Sequence, residues 1–379
     1  MTIEMTKKSR ELQEAGHDIV SLSLGEPDFD TPDFIKSSGK SGIDENYSHY
    51  MPVPGYLDLR QAISEKFKRD NNLSYDPNEI IVSTGAKQSI ANIVLAIVNP
   101  GDDVIIPAPY WVSYADLVKF IGGNIVSPKA GLNQGFKITP AQLEDSITKK
   151  TKLMIFSSPN NPSGAMYSKE ELRSLVDVLK KHPEVWVISD EIYEYISYAK
   201  KHISIASFEG MRDRVATVNG LSKGFAMTGW RIGFMGAPET LVKACEKIQS
   251  QFTSGASSIA QRAAISAVLA GPEKVSYMVK DFTIRRKILA DILKKAKYLN
   301  FIEPEGAFYL FVDASNYLNE TYKTALDLCM AILDGGVASV PGEAFGLDGY
   351  IRFSYAASEE NLIKAGERII ATLISIKSN

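Results

Sequence analysis

The residues able to do chemistry fall in four short segments. The first is Ser222-Lys223-Gly224, which opens a glycine-rich stretch continuing through Met227-Thr228-Gly229-Trp230-Arg231-Ile232-Gly233. An apolar setting disfavours a charged lysine, and a neutral amine is able to form a Schiff base. Arg231 offers a planar fork that suits a phosphate. A surface lysine beside a salt-bridged arginine accounts for the same letters. The second is Val187-Ile188-Ser189-Asp190-Glu191-Ile192-Tyr193. Asp190 ends an apolar run, where a buried carboxylate is costly without a partner. It reads either as a cap at a strand end or as the partner of a cationic ring nitrogen. The third, Thr84-Gly85-Ala86-Lys87, follows the run Ile80–Ser83 and opens a helix. Small residues there let backbone N–H groups approach an anion, and a tight strand-to-helix turn explains the glycine equally well. The fourth, Ser158-Pro159-Asn160-Asn161-Pro162-Ser163-Gly164, is a proline-flanked turn able to aim Asn161.

Each segment has an ordinary explanation alone. Together they supply an aldehyde-trapping lysine, a phosphate-binding arginine, a helix N-terminus and a carboxylate for a ring nitrogen. Pyridoxal 5′-phosphate requires that set, because it has an aldehyde, a phosphate and a ring nitrogen whose protonation makes it an electron sink.

Other patterns fail. Gly220-Leu221-Ser222-Lys223-Gly224 matches the G-x-S-x-G nucleophile elbow, but that fold needs serine, acid and histidine in that order. His17, His49, His182 and His202 all precede Ser222. Gly39-Lys40-Ser41 looks like the end of a phosphate-binding P-loop, yet Phe34 stands where the leading glycine belongs. The histidines have no metal-ligand spacing, so no metal is expected.

Elements of regular length must position the four segments. Apolar runs at Ile80–Ser83, Val104–Pro107, Asn124–Pro128, Leu153–Ser157, Val185–Asp190, Val215–Gly220 and Ile232–Met235 read as strands. Gln88–Val98, Val112–Ile121 and Lys169–Lys181 read as helices between them. This alternation predicts an α/β fold with a mostly parallel sheet, whose ligand lies beyond the carboxyl ends of the strands. After Gly271-Pro272 the pattern changes to a long helix, Val275–Lys297, then strands near Ala307–Val312, Val337–Pro341 and Tyr350–Tyr355, and a last helix from Glu359. We expect a large domain over 35–275 and a smaller α+β domain combining 1–34 with 276–379. Within 1–34 the pattern gives a helix, Thr6–Ala15, and an apolar run, Ile19–Leu24.

Composition narrows the classes. The 379 residues are 45% hydrophobic and 23% charged, which suits an ordinary globular protein of two or three domains. The net charge of −3 forces no basic face, so nucleic-acid binding is not expected. Cys245 and Cys329 match no zinc or redox spacing and no disulfide framework, which points to a reducing compartment, the cytoplasm. The longest apolar stretch, Ile90–Val98, is too short to span a bilayer. Met1-Thr2-Ile3-Glu4 has no signal-peptide pattern.

The chain resembles a class I aminotransferase of pyridoxal-phosphate fold type I, most of all the subgroup Ib aspartate aminotransferases, some of which also act on prephenate. The carriers are Leu24-Gly25-Glu26-Pro27-Asp28-Phe29, His49-Tyr50 with Pro54-Gly55, Gly85-Ala86-Lys87-Gln88, Pro109-Tyr110-Trp111-Val112-Ser113-Tyr114, Pro159-Asn160-Asn161-Pro162, Ser189-Asp190-Glu191-Ile192-Tyr193, Ser222-Lys223 with Met227 to Gly233, and Arg352-Phe353-Ser354-Tyr355. They appear in the family's order over essentially the whole chain. The resemblance implies that Lys223 carries the cofactor and shuttles a proton, and that Asp190 pairs with the ring nitrogen. It implies that Asn161 and Tyr193 bond the ring's 3′ oxygen and that Trp111 stacks on the ring. Arg231 with the backbone at Gly85 and Ala86 would hold the phosphate, and Tyr50 would reach it from the second subunit of a homodimer. Gly25 and Arg352 would bind the substrate's α-carboxylate. Lys87 stands at a helix N-terminus, where a cation is disfavoured by about 0.3–1 kcal/mol; the resemblance implies that it meets the distal carboxylate of aspartate or glutamate. The family's extra phosphate hydroxyl falls on Gly220, where this chain has none.

The implied reaction is a ping-pong exchange of an amino group between aspartate and 2-oxoglutarate. The alternatives are a prephenate or aromatic aminotransferase and a lyase on the same fold, which would consume no 2-oxo acid. A transcription regulator borrowing this fold would need an N-terminal DNA-binding module, and about 24 residues before Gly25 leave no room for one. The family pattern also implies an N-terminal arm of about a dozen residues ahead of the stretch that starts here at Met1.

Overall fold

The computed structural model describes residues 2–198 and 200–378. Met1 and Asn379, the outer bounds of the expected smaller domain, lie outside them. Twelve strands form among the described residues: β1 Val20–Ser21, β2 Ile80–Thr84, β3 Asp103–Ile105, β4 Asn124–Val126, β5 Thr151–Ser157, β6 Trp186–Asp190, β7 Val215–Gly220, β8 Ile232–Gly236, β9 Tyr309–Asp313, β10 Val337–Ala338, β11 Val340–Pro341 and β12 Tyr350–Ser354.

The central sheet has seven strands in the order β2-β8-β7-β6-β5-β3-β4, and β8 alone runs antiparallel to its neighbours. The expected mostly parallel α/β sheet is therefore present. Both faces are covered, which is why the strands read as continuous apolar runs rather than alternating ones. Ile80 and Val82 pack on one face and Ile81 on the other, each fully buried.

Helices between strands start where the sequence supplies caps. Ser168 and Glu171 form a reciprocal capping box ahead of Lys169–Leu179, and Thr139 and Gln142 do the same for Pro140–Ser146. The helix Ala86–Ile97 follows β2 directly, with Gly85 at its N-cap at φ +79°.

The C-terminal elements make a second, three-stranded antiparallel sheet in the order β11-β12-β9. The run Val337–Pro341, expected as one strand, is two. Val337–Ala338 pairs in parallel with Val20–Ser21, and Val340–Pro341 pairs with β12. The chain turns between sheets at the buried Ser339, so one apolar run serves two ladders. The long helix is Ser276–Leu293, entered through a short 3₁₀ turn at Pro272–Val275. Among the described residues no helix is long and apolar enough to cross a membrane.

Candidate active site

Beyond the carboxyl ends of the central strands lies a cavity of about 640 Å³. It is lined by Lys223, Asp190, Asn161, Tyr193, Arg231 and Arg352, among others. Strand order explains the convergence. β6 ends in Asp190, β5 ends just before the Asn161 turn, and β7 ends just before Ser222-Lys223. The antiparallel β8 starts at the same end, immediately after Arg231.

Asp190 is 3% exposed and has no cation in ion-pair contact among the described residues. Its Oδ2 accepts from the Tyr114 hydroxyl at 2.6 Å, and its Oδ1 from the Ile192 N–H at 3.2 Å. Burial pushes its pKa up to about 6 although both hydrogen bonds pull the other way. A carboxylate so held is short of one positive partner.

Lys223 points into the same cavity, where its amine donates to the Gly25 carbonyl. Burial lowers its pKa to about 8, against the pull of Glu26. That makes a neutral, nucleophilic amine accessible near physiological pH.

The turn after β5 is stitched by Asn160, whose side chain bonds the Pro109 carbonyl, Ser157 and Ser163. Asn161, 7% exposed, is left to face the cavity. The prolines on either side, Pro159 and Pro162, follow cis peptide bonds.

Arg352, 4% exposed, projects from the middle of β12. Its Nη1 donates to Asn161 Oδ1 at 3.0 Å and its Nη2 to the Ser23 carbonyl at 2.7 Å, while its buried Nε has no hydrogen-bond partner. No carboxylate pairs with it among the described residues. A guanidinium buried without an anion is costly unless a ligand brings one.

Arg231 sits at φ +54° with Nη1 on the Thr228 carbonyl. A Cβ on Gly85 would lie 2.4 Å from Arg231 Nη2 and one on Gly233 would lie 2.1 Å from the Ala86 nitrogen, so both glycines are required for the fork to lie against the helix start. Ala86 and Lys87 line the cavity, and Lys87 Nζ lies 4.9 Å from the Trp111 ring centroid. Burial, and then Arg231, lower the Lys87 pKa. Gly25 lines the cavity as well.

Two expected positions stand apart. Tyr50 is 98% exposed and does not line this cavity. Gly220 is tightly packed, since a Cβ there would meet the Ile232 carbonyl at 3.0 Å; the buried Ser222 is the nearby hydroxyl that lines the cavity.

Tyr114, Tyr309 and Ser157 line the cavity without having been singled out from the sequence. Tyr114 was legible in part, because it lies one helical turn from Trp111 in the same motif. Lys7, Arg10, Glu11 and Glu14, on the helix Thr2–Glu14, line the cavity too. Glu191, Glu194 and His202 form one cluster of possible metal-ligand atoms, unforeseen from histidine spacing. Its carboxylates already have partners: Lys66 pairs with Glu194, Asn71 donates to both, and His202 Nε2 lies 2.9 Å from Glu191. Burial lowers the His202 pKa, but Glu191 outweighs it and the net shift is upward.

A lysine nucleophile, a buried carboxylate with no cation beside it and a helix N-terminus with its arginine fit pyridoxal 5′-phosphate. These features, in a sheet of this topology, define a pyridoxal-phosphate enzyme of fold type I. Residues 17–369 match the aminotransferase class I and II family, and the chain belongs to it. It is 46% identical over 99% of its length to a bifunctional aspartate aminotransferase and glutamate/aspartate-prephenate aminotransferase of Petunia hybrida, covering 81% of that protein. It is also 46% identical, over 98% of its length, to an aspartate/prephenate aminotransferase of Cereibacter sphaeroides, covering 95% of it. The fold superposes on the aspartate aminotransferase of Rhizobium meliloti with a TM-score of 0.95 at 40% identity, covering 98% of this chain and 95% of that one. The maleate-bound aspartate aminotransferase of Thermus thermophilus gives 0.94 at 39% identity, covering 98% and 96%. The protein is an aminotransferase that works with pyridoxal 5′-phosphate.

Proposed function

We propose that this aminotransferase exchanges an amino group between L-aspartate and 2-oxoglutarate by a ping-pong path. The observation that carries the reading is a pair of cations lining one cavity, Arg352 and Lys87, neither in ion-pair contact with an acid among the described residues. A dicarboxylate brings an anion to each. Aspartate and prephenate both appear in the names of the relatives.

The cofactor supplies an electron sink for the charge released at the substrate's Cα. Asp190 would keep the ring nitrogen protonated, and Asn161 and Tyr193 would donate to the ring's 3′ oxygen. Trp111, which lines the cavity, would cover the ring and exclude water. Arg231, the Gly85 and Ala86 N–H groups and the Ser222 hydroxyl would hold the phosphate. Arg352 clamps the α-carboxylate through its planar fork, with Gly25 keeping the chain clear. Lys223 Nζ would hold the cofactor and, once the substrate's own amine has displaced it, would be the free base that takes the proton from the substrate's Cα. Tyr50 reaches the phosphate of the other subunit in a homodimer, which its exposure suits.

The large domain, 35–275, contains the cofactor side chains; the small domain, 1–34 with 276–379, contributes Gly25 and Arg352. The pairing of Val20–Ser21 with Val337–Ala338 supports joining the two ends. Free, buried Cys245 and Cys329 suit a reducing cytoplasm.

A second reading, prephenate or an aromatic amino acid as donor, is favoured by the size of the cavity and by the flexible stem of Lys87, which lets a point charge swing aside. One experiment separates the two. Lys87→Ser should lower kcat/KM for aspartate by about tenfold or more, about 1.4 kcal/mol, and change phenylalanine or tyrosine turnover much less. Equal losses for acidic and aromatic donors, with weaker cofactor retention, would assign Lys87 to the phosphate.

A further inference from the structure

Tyr309 faces the cavity from the first position of β9, is fully buried, and has no task in the reading above. Its hydroxyl lies 2.8 Å from the Tyr193 hydroxyl. A Cβ on Gly25 would come within 3.0 Å of that oxygen, so the glycine leaves it room. The Arg352 guanidinium lies over the Tyr309 ring, 4.4 Å from its centroid.

Either hydroxyl of the pair could donate, but each has one proton. If Tyr193 gives its proton to the cofactor's ring oxygen, it has only acceptor capacity left for Tyr309. We propose that Tyr309 is a positioning residue: it donates to Tyr193 and so aims Tyr193's single proton at the ring oxygen. Asn161 is oriented by the same logic. Arg352 Nη1 occupies its Oδ1, which turns the amide Nδ2 toward the cavity. Each side chain that would donate to the ring oxygen thus has a neighbour bonded to it, Tyr309 for Tyr193 and Arg352 for Asn161. The proposal rests on the cofactor site described above.

Linked hydrogen bonds strengthen one another in a low-dielectric interior, so the Tyr309 proton makes Tyr193 a better donor. A ring oxygen better supplied with donors holds less negative charge for the proton on the Lys223 nitrogen. That nitrogen should therefore titrate lower with Tyr309 present. The charged groups acting on the tyrosine pair and on Lys223 are Arg352 from β12, Asp190 from β6, Arg231 before β8 and Glu26. None of them changes in the test.

The test is a pH titration of the visible absorbance of the cofactor-loaded protein, which reports the proton on the Lys223 nitrogen. Tyr309→Phe should raise the midpoint by about half a unit. In a Tyr193→Phe background the same change should add nothing, because Tyr309 acts only through Tyr193. No shift in the single variant, or an equal shift in both backgrounds, overturns the proposal. Should Tyr309→Phe not fold, 3-fluorotyrosine placed at 309, a stronger donor, should lower the midpoint; an unchanged or raised midpoint overturns it. A wild-type protein that shows no visible band on loading contradicts the cofactor site itself, whereas a band with an unshifted midpoint contradicts only the role of Tyr309.

Discussion

Burying Asp190 without a cation costs the cofactor-free protein stability. Its carboxyl titrates at about 6 when folded, against 3.8 for a free side chain. Between those pH values the folded chain holds a proton that the unfolded chain has lost, so stability falls as pH rises through that window. Above it the full penalty is present, about 3 kcal/mol at most. Asp190→Asn removes the charge and leaves an oxygen to accept from Tyr114. We expect it to stabilise the cofactor-free protein at pH 7 by about 1–3 kcal/mol in denaturant unfolding, and to lower kcat of the loaded enzyme at least tenfold. Equal or lower stability, or turnover within twofold of wild type, would contradict the assignment. The sequence disclosed Asp190 because a charge at the end of an apolar strand is conspicuous. It disclosed Tyr114 only through its motif and did not disclose Tyr309, because a tyrosine in an apolar setting looks like core until the partner of its hydroxyl is known.

The strands of the central sheet were legible as apolar runs, since burial on both faces leaves no polar alternation to confuse them. Elements that depend on a neighbour were not. The helix Asp33–Asp44 has few large apolar residues and carries Gly39 and Gly42 on its buried face; in the sequence it showed only as a broken phosphate-loop pattern. Its glycines exist for contact: a Cβ on Gly39 would lie 2.9 Å from the Trp230 ring, and one on Gly42 3.1 Å from Arg262. Trp230 precedes Arg231, so this packing also supports the phosphate fork. Gly85, at the start of the helix Ala86–Ile97, combines positive φ with the approach of Arg231. Gly85→Ala should displace the guanidinium and weaken cofactor binding at least tenfold, read as the concentration of pyridoxal 5′-phosphate needed to restore activity to the stripped protein. Unchanged retention would show that the Gly85–Arg231 contact does not build the phosphate site.

At the scale of the molecule, the proposed homodimer gives a task to Tyr50, a side chain 98% exposed yet carried in a family motif. If Tyr50 completes its neighbour's site, two inactive variants should rescue each other. Mixed Tyr50→Ala and Lys223→Ala subunits would form hybrids with one whole site, Lys223 from the first and Tyr50 from the second. Activity should rise well above that of either parent after the two are unfolded and refolded together. Additive activities would place Tyr50 outside the partner's site. The central claim, transfer of nitrogen between two dicarboxylic substrates, has a direct test. The purified, cofactor-loaded protein is given ¹⁵N-labelled L-aspartate and unlabelled 2-oxoglutarate, and the products are followed by NMR and mass spectrometry. The account predicts that the label appears in L-glutamate as oxaloacetate forms in equal amount. Label released as ammonia, or retained in aspartate while an aromatic donor under the same conditions passes its nitrogen to 2-oxoglutarate, would contradict it.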